Sequence, residues 1–88
     1  MNAKQKLERA VTDLNRMIAV HFRNDDHPLV PHFVIHEMDK GYMLKQMSGI
    51  LTMRICFSDP LSASYLTAHV EGMQHGMLVA LDILKGLK

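Results

Sequence analysis

The chain has no tryptophan, one cysteine, three prolines and five glycines among its 88 residues. A lone thiol, Cys56, excludes a disulfide framework, so the core must carry stability that small secreted domains draw from cross-links. Aromatic residues make up only 6% of the chain, and nothing resembles the stacked aromatic pattern of an RNA-recognition sheet. Charge of one sign is also lacking. Ten basic residues oppose nine acidic ones for a net +1, which gives no strong field to gather nucleic acid or an anionic membrane. No apolar run approaches the ~18–20 residues of a membrane span, and the polar opening NAKQKLER does not read as a signal peptide. A reducing cytoplasm is the expected compartment. A glycine-rich phosphate loop and a Gly-x-Ser-x-Gly elbow are both missing, so the expectation is a protein that is not an enzyme and carries no cofactor.

The residues that are present describe an ordinary globular domain. Hydrophobic residues are 48% and charged residues 22% of a 10.0 kDa chain, proportions that exclude a disordered tail. At this size one domain, 1–88, is expected, because two cores would each be too thin.

Residues 3–23 read as an amphipathic helix. Leu7, Val11, Leu14, Ile18 and Phe22 recur at steps of three and four, with Ala10, Met17 and His21 flanking them. Asn2 as N-cap and Gln5 three residues on form a capping-box pattern, and the run Asn24-Asp25-Asp26-His27-Pro28 stops the helix. Segments 32–38, 42–47 and 50–57 follow, separated by Asp39-Lys40-Gly41 and Ser48-Gly49, and the last alternates as ILTMRICF. A three-stranded antiparallel meander fits best; the rival is a helix over 31–47 broken at Gly41. Asp59-Pro60 then supplies an N-cap and first position for a helix reaching Gly86. In it Leu66, Val70, Met73, Met77, Ala80, Leu84 and Leu87 form a heptad seam. The fold class is therefore α+β, in the order α-β-β-β-α. The stretch Ser62-Ala63-Ser64-Tyr65 opens the last helix, with no Lys or Arg between Pro60 and Asp82. The double-stranded-RNA-binding domain has the same element order, but it opens that helix with phosphate-contacting lysines, so only the order is shared.

Three groups of residues invite a functional reading. Asp25, Asp26, His27, His32, His36, Glu37 and Asp39 look like a metal cluster in sequence. On a strand, however, His32 and His36 sit ~13 Å apart and cannot share a zinc ion. No metal is expected, and Cys56 reads as an inert thiol. Arg9, Arg16 and Arg23 recur every seven residues and return within ~20° of one direction on a helix. With Lys4 and Lys6 they give residues 1–23 a local +3; the ordinary reading is a solvated helix face, and the functional ones are an acidic protein partner or nucleic acid. Eight methionines are unusual; Met43 and Met47, beside Tyr42, read as an adaptable contact surface.

The last helix carries the firmest expectation. Ser64, Ala68, Gly72, Gly76 and Ala80 recur every four residues, and interior glycine costs a helix ~1 kcal/mol relative to Ala. Close approach of another backbone is one reason to keep it; packing against the chain's own sheet or first helix is the other. A helix over 60–86 is ~40 Å long against ~23 Å for a seven-residue strand, so part of it overhangs the sheet. A homodimer is expected, with Ala68, Gly72, Gly76, Met77, Ala80 and Leu84 at its interface. The function expected is a small homodimeric adaptor, inhibitor or regulator of a larger cytoplasmic complex, of a kind encoded by bacteria or phages. It would bind a protein partner through Arg9, Arg16, Arg23, Tyr42, Met43 and Met47 and by strand addition at the edges 32–38 and 50–57.

Overall fold

The computed structural model describes residues 1–22, 31–48, 52–55 and 59–86. Helix α1 spans Ala3–Phe22, strands β1 and β2 span Pro31–Met38 and Gly41–Ser48, and helix α2 spans Ala63–Gly86. The four residues Thr52–Ile55, β3, lie antiparallel to β2 from Lys45 to Ser48. The architecture is α+β, a helix on either side in sequence of an antiparallel sheet. Residues 31–38 and 41–48 are strands, so the helical alternative over 31–47 is excluded. The expected strand 50–57 falls partly outside the described residues, as do Arg23, the cluster Asp25, Asp26 and His27, Cys56 and Leu87.

Local chemistry accounts for the start of α1. The Gln5 backbone N–H donates to Asn2 Oδ1 at 2.8 Å, and the Asn2 N–H donates to Gln5 Oε1 at 3.1 Å. Both halves of the capping box are formed. Leu7, Ala10, Val11, Leu14 and Ile18 are buried as their periodicity requires, with Met17 packed at their margin. His21 is exposed, because it lies off the buried stripe.

β1 and β2 are joined by a two-residue turn at Asp39-Lys40, with Met38 paired to Gly41. Gly41 has φ +144°, a conformation that L side chains rarely adopt, and a Cβ there would stand 2.6 Å from the Leu61 carbonyl oxygen. That contact belongs to a backbone joint. The Tyr42 N–H donates to the Leu61 carbonyl at 2.8 Å, and the Leu61 N–H donates to the Tyr42 carbonyl at 2.9 Å. The joint corrects the expected helix start. Leu61 is extended and bound to β2, so α2 begins at Ala63, and its cap is Ser62, whose Oγ accepts from the Tyr65 N–H at 3.1 Å, rather than Asp59.

Both helices pack on one face of the sheet. Phe33 and Leu44 join Leu7, Leu14, Leu66 and Val70 in a single core, with Ile35, Tyr42, Met73 and Met77 around it. Leu7, Leu14, Leu44, Leu66 and Val70 are fully buried, each contributing about 1.5–3 kcal/mol by removal from water. The helices run parallel, side by side. Ala3 and Lys6 share a groove with Ser64, Thr67 and Ala68, and further along the Gln74 amide donates to the Ala10 carbonyl at 2.9 Å.

The free edge of β1 is covered in one place. Asn15 Nδ2 donates to the Phe33 carbonyl at 2.8 Å, while the Phe33 N–H donates to Asn15 Oδ1 at 2.7 Å. The side-chain amide thus stands where a neighbouring strand's peptide would. This explains a poor helix former in mid-helix, and it takes the Phe33 position out of the β1 edge expected to be open for strand addition.

Candidate functional site

Arg9 and Arg16 are both exposed on the outer face of α1. They do not stand in an isolated basic field. Arg9 borders a shallow depression of about 410 Å³ together with Lys6, Asp13 and Glu71, where both signs of charge meet. Lys4 is engaged elsewhere. Its Nζ lies 2.9 Å from Glu37 Oε2, and the hydrogen bond and charge of that carboxylate hold the ammonium pKa above its usual value.

On the sheet, alternation separates residues the sequence placed together. Tyr42 faces the helices, half-buried against the core, whereas Met43 and Met47 lie on the opposite face across from His36 and His32. Met43 is only 9% exposed. A combined Tyr42, Met43 and Met47 surface therefore does not exist, because odd and even positions of one strand point oppositely; Met47, half-buried, remains on the outer face. His32 and His36 are exposed on that same face, four residues apart on β1, too far to chelate one ion together. Among the described residues no three His, Cys, Asp or Glu side chains converge.

Helix α2 divides along its length. In the seam, Leu66 and Val70 are fully buried, Met73 and Met77 half-buried, and Ala80 and Leu84 exposed. Met77 packs in part on the chain's own core. Ala68 lines the groove shared with α1, because the four-residue step drifts about 40° per repeat around the helix. The drift takes Gly72 and Gly76 away from α1. A Cβ at either would meet no atom within 4 Å among the described residues, so packing against those residues does not explain these glycines.

Beyond Met77 the helix is apolar and open. Leu78 is 46%, Val79 43%, Ile83 59% and Leu84 56% exposed. Val79 and Ile83 were not among the residues expected at an interface, though the apolar run 77–84 that contains them was visible in sequence. The Asp, Glu and Lys side chains of α2, namely Glu71, Asp82 and Lys85, fall within about 60° of circumference on the flank toward α1. The other flank, bearing His69, Gly72, Gly76, Val79, Ala80 and Ile83, has no Asp, Glu, Lys or Arg. Exposed apolar surface of this extent marks a contact site more often than a solvated face. No helix among the described residues is long and apolar enough to cross a membrane.

The chain matches no protein-family model, no curated protein and no solved structure.

Proposed function

We propose that the protein is a non-catalytic protein–protein interaction module, a small homodimeric adaptor, inhibitor or regulator acting on a larger cytoplasmic complex. The observation that carries this reading is the exposed flank of α2 that bears no Asp, Glu, Lys or Arg. An apolar surface of that kind gains free energy by being covered. In this reading α2 joins two copies, and a protein partner is steered by Arg9, Arg16 and Arg23. The outer edge of β3, Thr52–Ile55, is the favoured site for strand addition, since Asn15 already holds one position of the β1 edge.

Nucleic-acid binding is the competing reading, supported by exposed Arg9 and Arg16 on one helix face. An electrophoretic shift at low salt with duplex and single-stranded probes separates the two. No shift is expected. A shift abolished by changing Arg9, Arg16 and Arg23 together to Gln would replace the interaction module with a nucleic-acid-binding regulator. Affinity capture from host lysate should return one protein complex whose recovery is unchanged by nuclease.

A further inference from the structure

From the order of side chains on the open flank of α2 we infer that its occupant is the same flank of a second copy, running antiparallel about a two-fold axis between Met77 and Leu78. This inference rests on the interaction-module reading and specifies its dimer.

The flank carries two notches followed by two knobs. Gly72 and Gly76 come first, each opening on empty space among the described residues, and Val79 and Ile83 follow, both about half exposed. At 100° per residue the four point within about 60° of one another. Their spacing is symmetric. Positions 72 and 83 are centred on the same point between 77 and 78 as positions 76 and 79. Reversing the helix about that point sets Ile83 of one copy against the partner's Gly72, and Val79 against the partner's Gly76. Each notch receives a knob, and each knob a notch. A two-fold interface requires this self-complementarity; a parallel pairing would set glycine beside glycine and leave a gap.

Charge and geometry agree with the same occupant. Two copies of a surface without Asp, Glu, Lys or Arg meet without repulsion between such groups, with His69 at the end of the contact, and Glu71, Asp82 and Lys85 lie outside it in water. α1 stands on the far flank, so it does not obstruct the approach. Antiparallel helices also oppose their dipoles. Pairing runs from His69 to Gly86, a contact ~27 Å long at 1.5 Å per residue. It covers roughly 500 Å² on each copy, close to the ~1,000 Å² total at which a specific interface becomes sustainable. The dimer is therefore of moderate affinity and dissociates on dilution.

Light scattering after gel filtration tests the occupant, and a knob–notch exchange tests the register. Wild-type protein at ~200 µM should approach twice 10.0 kDa and fall toward a single copy below ~1 µM. Gly76→Val fills a notch that the monomer leaves open, so helix content by circular dichroism should hold while the dimer dissociation constant rises at least ~tenfold. Adding Val79→Gly to that variant exchanges knob and notch and should restore dimerisation. In a Cys56→Ser background, a mixture of Gly72→Cys and Ile83→Cys proteins should form a disulfide-linked pair, and neither should cross-link with itself. A wild-type monomer at ~200 µM overturns both the inference and the homodimer of the functional reading. A dimer in which the exchange fails to rescue and Gly72→Cys links to itself overturns the inference alone.

Discussion

The two helices share one inner plan and differ in everything outside it. Each sends a fully buried pair into the same core, Leu7 and Leu14 from α1 and Leu66 and Val70 from α2. Outside, and histidines apart, α1 carries the charged residues Lys4, Lys6, Glu8, Arg9, Asp13 and Arg16, whereas α2, four residues longer, carries Glu71, Asp82 and Lys85. Burial therefore explains both inner faces, and water explains the outer face of α1. The outer flank of α2 is explained by neither. Its composition suits a surface that is covered when the protein is at work, as proposed above.

The inner equivalence breaks first and hardest. Leu14→Ala and Leu66→Ala should each destabilise by about 2–5 kcal/mol, and urea unfolding should place the two within that same range. A core that tolerated one and not the other would mean that the helices are not equal partners in it. A middle-sized effect comes from the side of α1 that meets β1. Asn15→Ala removes both bonds to Phe33 and should cost about 1–3 kcal/mol, with increased aggregation from an uncovered strand edge, read by light scattering alongside the melt. The smallest effect sharpens the outer contrast. Gly72→Ala should stabilise the isolated chain by ~1 kcal/mol, because the site is helical and open, while Arg16→Ala should change stability by less than ~0.5 kcal/mol. Thermal melts at low concentration, where association does not contribute, provide the comparison.

Much of this plan is legible in the sequence, for reasons that are local. The α1 stripe and its Asn2–Gln5 box involve residues within a turn or two of each other, so their periodicity is enough. The overhang of α2 follows from length alone. What fails to be legible depends on contacts far apart in the chain. Pro60 announces a helix start, yet Leu61 is held extended by Tyr42, nineteen positions earlier. The role of Asn15 needs Phe33 beside it. Tyr42 is misplaced for a different reason. Its aromatic ring suggested a contact surface shared with Met43 and Met47, but strand alternation turns it inward. In α2 the four-residue repeat of small residues was plain, whereas its drift, which gives Ala68 to the α1 groove and leaves Gly72 and Gly76 open, emerges only once α1 is in place.

The joint between Tyr42 and Leu61 has a consequence for which changes the chain tolerates. Both of its bonds run between main-chain atoms, so Leu61 contributes through a group that every residue except proline possesses. Other apolar side chains could take its half-buried place without loss of the joint. Its strictness is displaced onto Gly41, which donates nothing to it, because a Cβ there would stand 2.6 Å from the Leu61 oxygen. Mutational drift should therefore run freely at the position that makes the bonds and stall at the one that only makes room for them.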